Sequence, residues 1–118
     1  MNVEALDLLA TSVFLVNERG HIEYANAAAE DLFGRSRKQL CGHSAATLFD
    51  NPENIQSSID RAAAGRYADV RQLASLRRAT ESVEVAVTTV GLSGQRWPAL
   101  IETREIEQRV LALSLIHI

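Results

Sequence analysis

The chain has 118 residues, 47% of them hydrophobic, and a formal charge of -3. One domain of that length buries roughly two-thirds of the surface its unfolded chain exposes, so it builds a core without disulfides. Its interspersed charges remove the electrostatic case for nucleic acid or an anionic membrane as a partner, and its single cysteine, Cys41, excludes an internal disulfide and a Cys-based zinc site and fits a reducing cytoplasm.

The N-terminal stretch, with Glu4 and Asp7, lacks the basic start and long apolar run of a signal peptide. No run approaches the roughly 18 apolar residues of a membrane span. From Val3 to Ala10 the spacing predicts a helix with Val3, Leu6, Leu9 and Ala10 on one face. Two readings of that face stand: it docks on its own domain, or it pairs with a second copy. Periodicity does not separate them.

Val13-Phe14-Leu15-Val16 reads as a buried strand. Gly20 closes a hairpin, and His21 to Ala25 returns as the second strand, with Ile22 and Tyr24 on one face. Asn26 is placed to cap a helix over Ala27 to Phe33, which Gly34 ends. Ser36 and Gln39 form a capping-box pattern that starts a second short helix, and Ser44 to Phe49 makes a third helical turn. Asn51-Pro52-Glu53 starts a longer helix, carrying Ile55, Ile59, Ala62 and Ala63, that runs to Ala64.

The remainder predicts strands. They are Tyr67 to Leu76, the alternating Val83, Val85 and Val87, and Arg96 to Thr103 with Pro98 near its start. The fold class expected is α+β. It is a five-stranded antiparallel sheet with short helices and one longer helix on one face, flanked by N- and C-terminal helices. Ile106, Val110 and Leu113 fall at i, i+4 and i+7 and predict an exit helix. The expected organisation is residues 1–11 as an N-terminal helix and dimer contact, 12–105 as the domain, and 106–118 as the exit helix or a non-native tail.

This order, with the residues Tyr24-Ala25-Asn26-Ala27-Ala28-Ala29-Glu30-Asp31-Leu32-Phe33, resembles a PAS domain. The early hairpin, Leu100-Ile101-Glu102-Thr103 and Glu107-Gln108-Arg109-Val110-Leu111 are similar to the N-terminal domain of the NtrB family of nitrogen-regulation sensor histidine kinases. That resemblance implies a cytoplasmic homodimer with kinase domains downstream in cis, and a PII protein and a response regulator as partners of the parent protein. It places no catalytic residue here. His21, His43 and His117 lack a phosphoacceptor context, and no Gly-rich phosphate loop occurs.

Haem-binding PAS domains use a His on the long helix; Pro52 to Ala64 has none, and His43 reads as a surface or capping residue. Flavin photosensors place a reactive Cys after a Gly in a polar stretch. Here Cys41 precedes Gly42, and it reads as a small buried hydrophobe. No cofactor or metal is expected, and haem and flavin are disfavoured. Trp97 reads as packing on the last strand, and Arg71, Arg77 and Arg78 as a solvated face rather than an anion site. Glu81 and Glu84 do not make a hydrolytic pair.

The expected function is regulation and dimerisation. Val3, Leu6 and Leu9 serve pairing, Glu102 and Thr103 the strand-to-helix junction, and Ile106, Val110 and Leu113 the relay. One alternative is a small-molecule sensor whose cavity is lined by Phe14, Tyr24, Phe33, Leu48 and Ile55. Another is a protein-docking module for a regulator.

Overall fold

The computed structural model describes residues 3–65, 70–92 and 95–106. The apolar run Ser12–Val16 forms β1 and turns back through Gly20, at φ +81°, into β2 (Ile22–Ala25). Three helices follow: α1 (Ala27–Phe33), α2 (Arg37–Leu40) and α3 (Pro52–Ala63). A 3-10 helix, Ala45–Leu48, lies between α2 and α3. The chain ends its described course with β3 (Val70–Arg78), β4 (Glu81–Gly91) and β5 (Ala99–Glu105). The sheet is antiparallel in the order β2-β1-β5-β4-β3. The expected five-stranded α+β architecture is therefore present.

Strand alternation fills one face of the sheet. Phe14 and Val16 of β1, Val83, Val85 and Val87 of β4, and Ala99 and Ile101 of β5 are buried with Ala29 and Phe33 of α1 and Ile55 and Ile59 of α3. Phe33 sits between two aromatic rings, tilted against Phe14 at 4.9 Å and edge-on to Phe49 at 5.8 Å.

Helix α1 starts where expected. The buried Asn26 accepts the Ala29 N–H at 3.0 Å through Oδ1. The same oxygen accepts Val13 N–H at 2.9 Å, while Nδ2 donates to the carbonyls of Leu6 (2.8 Å) and Thr11 (2.9 Å). Gly34 caps the helix end at φ +65°, and the Ser36–Gln39 capping box is fully formed.

Several expectations are corrected. The N-terminal helix is a 3-10 helix over Val3–Leu8, because the Leu6 carbonyl is shared between Leu9 N–H and the Asn26 amide. Asn51 precedes α3 but its side chain makes no cap; its Oδ1 is buried without a partner among the described residues. β5 begins at Ala99 rather than Arg96, because Pro98 offers no N–H to the ladder and its carbonyl takes Leu92 N–H at 2.8 Å. β3 runs on to Arg78 and turns through Ala79-Thr80. Of the expected first residues of that strand, 67–69 lie outside the described residues.

Two outcomes follow. Ala79 holds φ +55°, a region that costs an L-residue roughly 1–2 kcal/mol, part of which glycine returns through the entropy of its unfolded state. Ala79→Gly is expected to raise stability by about 0.5–1 kcal/mol in urea unfolding. Asn26→Asp keeps the acceptor but loses both Nδ2–H donations and faces two carbonyls with a carboxylate. It is expected to cost about 2–3 kcal/mol at pH 7 by the same measurement, and less at pH 4, where protonation restores one donor.

Candidate functional site

Four of the five expected cavity residues converge between the sheet and α3. Phe14, Phe33 and Ile55 are core members, and Leu48 packs half-buried at its margin. Tyr24 does not join them. The β1–β2 register passes from Leu15↔Tyr24 to Val16↔Ile22, so Glu23 is an extra residue that bulges the strand. Ile22 and Ala25 consequently face the helices, while Tyr24 turns to the opposite face of the sheet with Leu6, Val13, Leu15 and Leu100. The expected pairing of Ile22 with Tyr24 fails because a bulge shifts the alternation by one.

At the outer end of that core, Phe33, Leu48 and Phe49 floor a cleft of about 180 Å3 flanked by Arg35 and Arg77. Neither guanidinium makes a hydrogen bond or ion pair with a described residue. The nearby Asp50 carboxylate is already committed to Ser75 N–H at 3.0 Å. The three arginines do not act together. Arg71 is exposed, and Arg78 donates to the Leu32 carbonyl at 3.3 Å and pairs with Glu81 at 3.6 Å. Glu84 accepts from the Ser75 hydroxyl at 2.8 Å.

Cys41 closes α2, half-buried, with its thiol 3.6 Å from the Glu23 carbonyl. Burial pushes the Cys41 thiol up, against a smaller opposing pull from Arg37, so the reactive thiolate is scarce. His43 is exposed and serves through its backbone, whose carbonyl takes Ile22 N–H at 2.9 Å. Trp97 lies before β5 rather than on it. Its indole N–H donates to Glu23 at 3.0 Å, and its ring, with the Arg96 guanidinium 5.1 Å from its centre, packs onto the outer apolar cluster.

The outer face holds the N-terminal segment as a strap. Leu6 is buried against Val13 and Leu15, with Val3 packed beside it. Of the two readings of this segment, the structure gives Leu6 to docking on its own domain. Leu8 and Leu9 remain exposed, at 87% and 47%. Asp7 fixes the strap to the helices by accepting Ala27 N–H at 2.9 Å and the Arg37 guanidinium at 3.0 Å. Thr11 donates to Glu102 on β5 at 3.2 Å.

The two junction residues of β5 lie on opposite faces. Glu102 holds Thr11 and pairs with Arg104 at 3.3 Å, while Thr103 is buried opposite Ser12. Ile106 N–H donates to the Glu84 carbonyl at 2.9 Å, so the chain stays tied to the sheet up to its last described residue. Val110 and Leu113 lie outside the described residues. The sequence assigns no contact to Asp7, Thr11 or Ser12. Their only signal was polarity interrupting an otherwise apolar segment.

The PAS fold family model matches residues 1–112. No curated protein matches. A PAS domain from Colwellia psychrerythraea superposes with a TM-score of 0.76 at 20% identity, covering 91% of this chain and 95% of that one. The PAS domain of nitrogen regulation protein NR(II) from Vibrio parahaemolyticus gives 0.67 at 22% identity, covering 87% and 95%. The PAS domain of a LuxR-family transcriptional regulator from Burkholderia thailandensis, in complex with ethanol, gives 0.68 at 18%, covering 90% and 97%. At these identities the likeness is one of fold. Among the described residues, no helix is long and apolar enough to cross a membrane.

The strap has a pH signature. Burial alone would raise the Asp7 pKa, but the neighbouring Tyr24 hydroxyl, the Ala27 N–H and Arg37 outweigh it and hold the carboxyl below its ordinary value. A carboxylate with a lowered pKa contributes stability above its unfolded pKa of roughly 3.9 and loses it as pH falls through the folded value. Hydrogen exchange at Ala27 is therefore expected to accelerate, beyond its intrinsic pH trend, as pH falls below about 4. In Asp7→Asn the excess is expected to be absent.

Proposed function

The chain belongs to the PAS family, and on that premise we propose that it is the regulatory, dimerising domain of a cytoplasmic two-component sensor histidine kinase of the NtrB type. The observation that carries this reading is the unbroken tie from the strap to the exit strand. Thr11 donates to Glu102, and Ile106 continues the ladder onto β4, which supports a coupling of the strap to the end of β5. Packed elements shift between a few discrete arrangements, and a helix leaving Ile106 would inherit that shift. In this reading Glu102 and Thr103 are the junction, and Ile106, Val110 and Leu113 the relay. The downstream kinase domains follow in cis, and a PII protein and a response regulator act on the parent protein. Nitrogen regulation and control of transcription belong to the same proposal.

The domain works without catalysis and without haem or flavin in this reading. The His-free α3, the exposed His43 and the protonated Cys41 thiol support it. An absorbance scan of the purified chain tests this, and a haem or flavin band refutes it. A second reading, a small-molecule sensor, draws on the cleft over Phe33 and Leu48, where two guanidiniums without a partner among the described residues flank an aromatic floor suited to a small carboxylate. Native mass spectrometry of the chain as purified separates the two: a bound organic anion favours the sensor.

Dimerisation uses the exposed Leu8 and Leu9 in this proposal; Leu6 serves the fold of its own chain. Light scattering is expected to show a dimer that the pair Leu8→Glu and Leu9→Glu converts to monomer without lowering the melting temperature. Wild-type monomer at high concentration refutes the pairing.

A further inference from the structure

An open sheet has two edges, and each presents backbone N–H and C=O groups to any chain that comes alongside. In this sheet the two edges differ. β2 is four residues long and bulged, and the turn after α2 covers it: Ile22 N–H donates to the His43 carbonyl at 2.9 Å, and the Ile22 carbonyl accepts Gly42 N–H at 2.7 Å. β3 is nine residues long, keeps an unbroken register with β4 and contains no proline.

One end of the β3 edge is already paired. Asp50 N–H donates to the Ser75 carbonyl at 2.9 Å, and the Asp50 carboxylate accepts Ser75 N–H at 3.0 Å. Phe49 and Leu76 form an antiparallel bridge beside them, and the chain then leaves the edge for α3. In an antiparallel ladder, residues alternate between exchanging both hydrogen bonds with a given neighbour and exchanging none. Ser75 turns its backbone away from β4, so Leu73 and Arg71 do the same. Their N–H and C=O groups have no partner among the described residues.

The side chains at these two positions add chemistry to the open backbone. Leu73 is 67% exposed, where a guarded edge carries charge, proline or a bulge. Arg71 is exposed and makes no hydrogen bond or ion pair with a described residue. Their cross-strand neighbours are Ala86 and Thr88, neither of them acidic. Glu102, next in the Arg71 row on β5, is engaged by Thr11 and Arg104. The unfilled demand is for a strand backbone with an apolar side chain opposite Leu73 and a negative charge opposite Arg71.

We propose that this edge docks an extended acidic segment of a partner protein, added to the sheet as a further strand. It runs antiparallel to β3, in the direction that Phe49 and Asp50 already take, and continues the edge where Asp50 leaves it. A strand in that direction meets Leu73 before Arg71, so the segment reads apolar-x-acidic. The site is distinct from the cleft at Phe33 and Leu48 and does not depend on the relay reading.

The test is an amide NMR titration of the 118-residue chain, at constant ionic strength, with the peptide acetyl-Thr-Thr-Val-Thr-Glu-Thr-Thr-amide. In the free chain the Arg71 and Leu73 amides are expected to exchange rapidly with water. Protection there before peptide is added means the edge is covered, and shifts there that grow with protein concentration mean a second copy is the occupant; either overturns the proposal. With the peptide, saturable shifts and slowed exchange are expected at both amides. Replacing the peptide's Glu by Lys is expected to weaken binding about fivefold. Methylating the Val and Glu nitrogens, which removes the donors to the edge, is expected to weaken it about tenfold. Arg71→Glu changes one exposed side chain and is expected to reverse the preference to the Lys peptide without lowering the melting temperature. No saturation, shifts confined elsewhere, equal binding of the Lys or methylated peptide, or an unchanged preference in Arg71→Glu overturns the proposal. Failure here leaves the dimer and relay readings to their own measurements.

Discussion

The fold turns on one primary amide. Asn26 has no exposed surface and gathers four backbone groups from four segments: the strap at Leu6, its exit at Thr11, β1 at Val13 and α1 at Ala29. Its own N–H completes the set by donating to the Val13 carbonyl at 3.1 Å. Only a side chain with a carbonyl and an NH2 on one planar group can accept twice and donate twice here. Aspartate lacks the donors, and serine lacks both the reach and the number. Each backbone group that Asn26 satisfies would otherwise be buried unpaired or would have to open to water. Removing the residue therefore disconnects segments rather than deleting one cap.

From Asn26 the hairpin runs in regular register through Ala25 and Tyr24, and a bulge follows toward the Gly20 turn. Glu23 is the added residue, and its insertion separates the two apolar populations of the hairpin. Ile22 and Ala25 go to the helices, and Tyr24 goes to the strap. The outer cluster then has an aromatic member beneath Leu6, with the Arg37 guanidinium 5.1 Å from the Tyr24 ring centre. Arg37 also binds Asp7, so the start of α2 closes over the strap. The expected capping box at Ser36 thus aims a residue at the outer face as well as starting a helix.

Much of this was legible where local chemistry decides the outcome. The Val83–Val87 alternation, the Asn26 and Ser36 caps and the Gly34 stop each rest on one residue meeting neighbours close in sequence. The failures share a different cause. The Tyr24 placement depended on a bulge set by pairing across the hairpin. The short strap helix depended on an amide twenty residues away, and the idle Asn51 has its cap geometry overridden by an unusual backbone, φ -122° and ψ 64°. Of the site, Phe14, Phe33, Leu48 and Ile55 were readable as apolar residues on predicted faces. Thr103 was readable as a junction residue, but its burial and that of Ser12 were not, because a hydroxyl in a strand looks the same whether it faces water or a core.

Strand geometry then explains why β5 is the place where these features meet. Successive residues face opposite sides of a sheet, so Glu102 reports to the strap and Thr103 to the buried face, one peptide apart. β5 is central, held by β1 on one side and β4 on the other. It cannot tilt without disturbing both ladders, and Ile106 extends the constraint past the last strand residue. Buried hydroxyls without a partner among the described residues mark this face at both ends, Ser12 and Thr103 at one and Thr89 of β4 at the other. A core built only for stability would place valine at Thr103, as it does at the neighbouring Val87. The hydroxyl there is a cost to the fold, and the Thr89 hydroxyl repeats that cost two positions along β4 from Val87.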